Sequence, residues 1–195
     1  MKNIKFLVLF IAIALINCER DDICPESTQT TPRLIVEFYD ATDTEELLNV
    51  SRITVYGEGL LEEDDDGNPI EPIVSSDVTL LFNENANSVE LPLIIGQEGV
   101  LQPPITVRFV LEEETNLRIE DDDPLTNSNK DIIEISYNTE FVYVSRACGY
   151  KSNFNSIGVS RVTDDDNWIT NIEIEETTQA SIENENTTHV RIYHN

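Results

Sequence analysis

The sequence predicts an all-β protein, an antiparallel β-sandwich of about ten strands of the Ig-like or Greek-key type. Three observations lead there. Apolar and polar residues alternate with a period of two in one segment after another. These segments are short and are separated by clusters of Asn, Asp, Glu and Gly. No stretch shows the sustained 3.6-residue period that an amphipathic helix needs.

Ahead of the strands stands a leader. Lys2 and Lys5 give a short basic start, and Phe6 to Ile16 is an unbroken apolar run. Leu15-Ile16-Asn17-Cys18 closes it before Glu19-Arg20-Asp21-Asp22. Charge, apolar core and cleavage box, in that order, form an export signal. A cysteine at the cut adds a lipobox reading: residues 1–17 are removed as a lipoprotein signal peptide and Cys18 becomes the lipid-carrying first residue. The run is about half of the ~20 apolar residues a membrane-crossing helix requires. The alternative is ordinary cleavage with release of a soluble chain. Asn17, where Ala, Gly or Ser is usual, favours release, whereas Leu15 and the placement of Cys18 favour lipidation. Residues 18–31 then read as a lipidated tether, because Pro25 to Thr31 is polar without a hydrophobic period. Residues 32–195 form the sandwich domain.

Within that domain each strand has its own pattern. Leu34, Val36 and Phe38 alternate with Ile35, Glu37 and Tyr39. After Thr44 to Asn49, which has room for one helical turn, Ile53 and Val55 alternate with Arg52, Thr54 and Tyr56. Val78, Leu80 and Phe82 lead through Asn83-Glu84-Asn85-Ala86-Asn87 to Val89, Leu91 and Leu93, a hairpin pattern. Val107, Phe109 and Leu111 follow, then Ile133, Ile135 and Tyr137. Phe141-Val142-Tyr143-Val144 is apolar on both faces, as a central strand is. Trp168, Ile172 and Ile174 alternate with Asn171, Glu173 and Glu175, which puts the single tryptophan inside. Val190 and Ile192 end the chain. A division near Asp123-Pro124 into two smaller β-domains is the competing organisation.

Composition sets the function classes. The 195 residues carry 12 Lys and Arg against 38 Asp and Glu, a formal charge of −26. Loss of the leader with Lys2 and Lys5 leaves 178 residues with 10 basic side chains against 38 acidic ones, a formal −28. Nucleic acid is excluded, because its affinity comes from Lys and Arg on phosphates. An anionic membrane surface also repels such a domain. Cys18 is claimed by lipid, leaving Cys24 and Cys148 as an even pair in an oxidising compartment. A bridge between them encloses over a hundred residues and contributes about 4–5 kcal/mol in the chain-entropy picture. Two unpaired thiols are the alternative. Only Glu19 to Ile23 separate Cys18 from Cys24, so the bridge lies within about 20 Å of the lipid.

Several blocks carry a resemblance. Cys18-Glu19-Arg20-Asp21-Asp22-Ile23-Cys24, Thr31-Pro32-Arg33-Leu34 with Phe38-Tyr39-Asp40, Val144-Ser145-Arg146-Ala147-Cys148-Gly149-Tyr150-Lys151 and the ending His189-Val190-Arg191-Ile192-Tyr193 resemble a family of uncharacterised Bacteroidota cell-envelope lipoproteins. The resemblance implies an envelope lipoprotein and brings no catalytic residues with it. Arg20-Asp21-Asp22 is similar to the surface-export signals of that phylum's lipoproteins. That similarity implies an outer-membrane protein, with the cell surface favoured over the periplasmic face.

Motifs for chemistry are sparse. The two histidines, His189 and His194, have no closely spaced cysteine pair to complete a zinc site. Gly158-Val159-Ser160-Arg161-Val162 lacks the second glycine of a hydrolase elbow. Cys148 and His189 form a nucleophile pair only if Cys148 is free. Asp64-Asp65-Asp66-Gly67-Asn68, Asp121-Asp122-Asp123 and Asp164-Asp165-Asp166-Asn167 cluster hard oxygen donors. Asp64, Asp66, Asp164 and Asp166 are therefore calcium candidates, although aspartates also build turns and Ile73 stands where a calcium loop closes with Glu. Arg146, Tyr150 and Lys151 form a basic and aromatic docking candidate in an acidic chain; the structural alternative, which is favoured, is that Arg146 pairs with neighbouring carboxylates, Cys148 makes the disulfide and Gly149 permits a tight turn. The expectation is a non-enzymatic module without a cofactor, lipid-anchored at Cys18 and accessory to an outer-membrane β-barrel. The alternative is a carbohydrate-binding or carbohydrate-processing lipoprotein, which requires aromatic side chains on one exposed face.

Overall fold

A computed structural model describes residues 23–99, 103–120 and 127–195. Ten strands follow in chain order: β1 Leu34–Asp40, β2 Val50–Gly57, β3 Thr79–Ala86, β4 Ser88–Leu91, β5 Ile105–Glu113, β6 Asn129–Ser145, β7 Gly149–Val162, β8 Asn171–Ile174, β9 Ser181–Ile182 and β10 Val190–His194. They form a four-stranded sheet in the order β4-β1-β10-β8 and a six-stranded sheet in the order β3-β2-β5-β6-β7-β9. Two short helices, Thr115–Glu120 and Glu176–Ala180, complete the described elements. The fold is all-β and sandwich-like, as the alternation predicts.

The core is one cluster drawn from both sheets. Val36, Phe38, Leu91, Val190 and Ile192 come from the smaller sheet; Ile53, Val55, Leu111, Ile133, Ile135, Tyr137 and Phe154 come from the larger. Residues on both sides of Asp123-Pro124 share this cluster, and β5 pairs with β6 from Ile105↔Tyr137 to Glu113↔Asn129. The Asp123-Pro124 junction lies outside the described residues. Tyr137 packs edge-on to Phe154 at 5.1 Å between ring centroids. Its hydroxyl donates to the Ile94 carbonyl at 2.9 Å, which satisfies the polar end of a buried ring. Trp168 is buried as predicted, and its indole N–H donates to the Leu111 carbonyl at 3.2 Å. Its strand, however, begins only at Asn171.

Four expectations need correction. The sheets are not purely antiparallel: β1 runs parallel to β10, from Val36↔Val190 to Asp40↔His194. Period-two alternation is the same for both directions, so direction could not be read from it. Second, β3 and β4 do not form a hairpin. Only Asn87 lies between them, fewer than the two residues of the tightest common hairpin loop, and the chain changes sheets there. The Asn87 carbonyl accepts the Phe38 N–H at 2.9 Å, which seats β4 on β1.

The β2–β3 register breaks three times, with Arg52 and Asn83 at positive φ. Leu81 therefore packs toward the core while Leu80 is exposed, the reverse of the simple alternation. Third, Phe141-Val142-Tyr143-Val144 is not a central strand. It is the outer part of β6, beyond Tyr137, where pairing with β5 stops. Phe141, Val142 and Val144 are half-buried there and Tyr143 is exposed. Fourth, Thr44 to Asn49 is a turn rather than a helical turn. The Asp40 carboxylate accepts the Thr42 N–H at 2.6 Å and the Asp43 N–H at 3.3 Å, an Asx arrangement that competes with helix.

Candidate functional site

The long β6–β7 hairpin gives the molecule its most distinctive feature. Strands β2, β5 and β6 share the sheet body, but from Asn138 to Ser145 the only strand partner of β6 among the described residues is β7. These eight residues at ~3.3 Å each run about 25 Å past the last β5 pair; the first of them still cover the core through Phe154 and β9, and the exposed end begins near Tyr143. Arg146-Ala147-Cys148 forms its turn. The Ser145 hydroxyl accepts the Cys148 N–H at 3.0 Å. Gly149 then adopts φ +70° and pairs back to Ser145, with a register shift between Tyr143 and Ser145. This is the three-residue loop with a left-handed residue that favours glycine.

The turn is bound to the start of the described chain. Cys24 and Cys148 are joined by a disulfide with their Cα atoms 4.8 Å apart. From Cys24 onward the polar segment read as a tether lies against the hairpin as a strap. The Ser152 N–H donates to the Thr31 hydroxyl at 2.9 Å, and the Lys151 ammonium donates to the Gln29 side-chain carbonyl at 3.2 Å. Lys151 also donates to the Glu183 carbonyl at 2.9 Å. Arg33 continues the strap, with two guanidinium bonds to Glu185 at 2.9 and 3.0 Å and an ion pair to Glu90. The Arg33 guanidinium holds the Glu185 carboxyl below the usual carboxylate range.

Two aromatic side chains mark the tip. Tyr143 and Tyr150 face each other in register across the hairpin, 5.4 Å between centroids and 69° between ring planes. They are 58 % and 55 % exposed, and Ile23, next to Cys24, is 80 % exposed. Arg146, Tyr150 and Lys151, the docking candidates, are thus brought to one end, and Arg146 is exposed on the turn. Tyr143 was missed, because an apolar run reads as core. A signal was present: residues 141–163 contain no Asp or Glu, in a chain with 38 of them.

Other predicted site residues lie elsewhere. Cys18 falls outside the described residues, as do Asp121-Asp122-Asp123. Asp64 spends its carboxylate on its own loop, accepting the Asn68 N–H at 2.8 Å and the Asp66 N–H at 2.9 Å. The Asn68 N–H first, then that residue's side-chain amide, lowers the Asp64 pKa. Asp66 is exposed beside it. Asp164 accepts the Asp166 N–H at 3.0 Å in the loop after β7. Among the described residues no group of three or more His, Cys, Asp or Glu side chains is arranged to hold a metal ion.

Both histidines are structural. His189 is buried and accepts the Ile35 N–H on Nδ1 at 2.9 Å, and burial lowers its pKa. His194 is buried edge-on to Phe38 and Trp168, with Nε2 3.2 Å from the Leu48 carbonyl. Cys148 is bonded to Cys24, so the Cys148–His189 nucleophile pair does not exist. Ser160 sits within β7 opposite Glu134, not on an elbow.

Buried charge is likewise spent on architecture. Glu112 accepts from Arg118 at 2.7 and 3.2 Å, and Glu71 pairs with both Arg118 and Lys130. An apolar cleft of about 510 Å³ lies between Leu60, Leu93, Ile94, Val107 and Phe109. At its rim Arg108 pairs with Glu134 at 2.7 Å and Glu58 at 3.5 Å. No helix among the described residues is long and apolar enough to cross a membrane.

A family model described as a family of unknown function (DUF6452) matches residues 70–194, which takes in β3 to β10 and the whole hairpin. No curated protein and no solved structure matches the chain.

Proposed function

The chain belongs to this family of unknown function, and on that premise we propose that it is a non-enzymatic cell-envelope module. In this reading a lipid on Cys18 holds it to the outer membrane, where it acts by contact. The observation that carries the reading is the disulfide between Cys24 and Cys148. It ties the hairpin turn to a residue six positions after the lipobox cysteine, a reach of about 20 Å at ~3.3–3.6 Å per residue. A flexible tether leaves a domain free to tumble; this short, cross-linked one presents a chosen end to the bilayer.

Support for contact rather than catalysis comes from where the reactive side chains go. Both histidines bind backbone groups, and Cys148 is oxidised. The leader pattern and the acids behind Cys18 favour export to the surface leaflet. The partner proposed for it is an outer-membrane β-barrel. The test is affinity purification from solubilised outer membranes: a stoichiometric envelope partner supports the reading, and a chain recovered alone counts against it.

A carbohydrate-binding role is the second reading, favoured by one observation. Tyr143 and Tyr150 are exposed on one face, as sugar stacking requires. Their rings meet edge to face rather than forming a flat platform. Glycan-array binding that disappears in Tyr143→Ala and Tyr150→Ala would put this reading first.

A further inference from the structure

We propose that the tip of the β6–β7 hairpin is a lipid-contact surface. Tyr143, Tyr150 and Ile23 lie at the headgroup level of the bilayer, and Arg146 and Lys151 face lipid phosphates. The inference rests on the lipid-anchor reading and deepens it, because it assigns the end of the domain that meets the membrane and the side chains that touch it.

Three independent observations converge on this end. The first is exposure. Tyr143, Tyr150 and Ile23 are among the exposed large apolar side chains, and all three lie at the Cys24–Cys148 bridge or within a few residues of it. Tyrosine suits a membrane interface because its ring is apolar and its hydroxyl is wet. The second is charge. A domain of formal −28 is repelled by an anionic surface, yet residues 141–155 around the turn hold Arg146 and Lys151 and not one acid. The strap from Cys24 to Thr31 adds a single acid, Glu26, and Glu19, Asp21 and Asp22 stand with Arg20 in the sequence between Cys18 and Ile23. The turn of the hairpin is thus a cation-bearing, acid-free part of an acidic domain, and the repulsion falls least on it. The third is shape. The hairpin runs on past its last β5 pair to an exposed turn, and that turn is cross-linked to the segment that leads to Cys18.

Lys151 keeps its charge available. Its two hydrogen bonds go to the neutral Gln29 amide and to the Glu183 backbone carbonyl, not to a carboxylate. These bonds hold the ammonium beside the strap on the arm's basic stretch. Tyr143 and Tyr150 support each other across the strands, so their rings are positioned without the membrane.

The experiment places a reporter at the tip of the intact protein. Tyr150→Trp, and separately Ile23→Trp, are purified from membranes and reconstituted in phosphatidylethanolamine–phosphatidylglycerol vesicles whose acyl chains are brominated near the ester end. The buried Trp168 supplies a constant background. Asp165→Trp, at the far end of β7, is the control, about 40 Å from the turn at ~3.3 Å per residue. The N-terminal peptide of the same preparation is weighed.

With Cys18 acylated, the tip reporter is expected to lose about half its fluorescence, since interfacial side chains sit ~5–10 Å deep, while the Asp165→Trp signal is unchanged. An acylated chain whose tip reporters, at both positions, are quenched no more than the control overturns the lipid-contact surface and leaves the anchor standing. A co-purified polypeptide or glycan that covers position 150 overturns it too. An unmodified Cys18 overturns the anchor, and this inference with it.

Discussion

Cys24 and Cys148 stand 124 positions apart in sequence and 4.8 Å apart at their Cα atoms, one in the strap and one in the turn of the longest hairpin. That single link holds the hairpin turn against the start of the described chain.

Its removal has a measurable cost. Cys24→Ser with Cys148→Ser releases a loop whose closure contributes about 4–5 kcal/mol in the chain-entropy picture. The double variant is expected to unfold at a clearly lower denaturant midpoint than the oxidised wild type and to match the reduced wild type. Equal midpoints for the oxidised wild type and the variant would contradict the link. Because Thr31 and Gln29 still bond to Ser152 and Lys151, the strap is expected to loosen rather than leave, visible as faster amide exchange at Ser152.

Gly149 is the second point of sensitivity. Its φ of +70° is unfavourable for any side chain, although nothing lies within 4 Å of where a Cβ would be. Gly149→Ala is therefore expected to cost about 1–2 kcal/mol from backbone strain alone. Thermal unfolding measures it; a variant as stable as the wild type would show that the turn adopts another conformation.

One buried acid and one half-buried one make stability depend on pH. Asp131 has its carboxyl pKa raised, first by burial and then by the charge of Asp164, against the N–H bond from Ile169. Glu113 is raised by burial and by Asp131 and Asp166. A carboxyl raised in the folded state binds its proton more tightly there than in the unfolded chain. Its contribution to stability therefore falls as pH rises from the ordinary value of 3.8 through the raised one, and the full penalty stands at neutral pH. Asp131→Asn keeps an acceptor for Ile169 and removes the charge. It is expected to be about 1 kcal/mol more stable than the wild type at pH 7, with the gap closing on acidification. A less stable Asn variant at pH 7 would mean that Arg161 holds the carboxylate in its charged form.

His189 acts in the opposite sense. Burial lowers its pKa, so the stability its neutral ring supplies is present above the ordinary value of 6.5 and is lost as pH falls through the folded value. His189→Ala also removes the acceptor of the Ile35 N–H. An unsatisfied buried donor costs about 1–3 kcal/mol, and urea unfolding at pH 7.5 should register it. A loss below about 0.5 kcal/mol would mean water replaces the ring.

Much of the architecture was legible because inward positions recur every second residue. Leu34, Val36 and Phe38, or Ile133, Ile135 and Tyr137, are buried where alternation puts them. Strand direction and sheet membership were not legible. Val190 and Ile192 alternate identically whether β10 runs with β1 or against it. The switch at Asn87 is decided by the seat β4 finds on β1, a tertiary matter. Leu80 and Leu81 exchanged faces because bulges at Arg52 and Asn83 break the register.

The candidate site was half visible. Cysteine parity pointed to Cys24 with Cys148, and the rare cations picked out Arg146 and Lys151 beside Tyr150. Tyr143 was hidden by its apolar neighbours, since a run that is apolar on both faces looks the same in a core and on a projecting arm. Absence of acid from 141 to 163 was the better guide. A stretch without acids in so acidic a chain is a statement about surroundings, whereas hydrophobicity alone is not.

The most direct measurement is the mass of the N-terminal peptide of the protein taken from its native membranes. The account predicts a chain that begins at Cys18 and carries fatty acyl groups, in the fraction that sediments with lipid. A free Cys18 thiol, or a chain cut elsewhere and found in the soluble fraction, would contradict it.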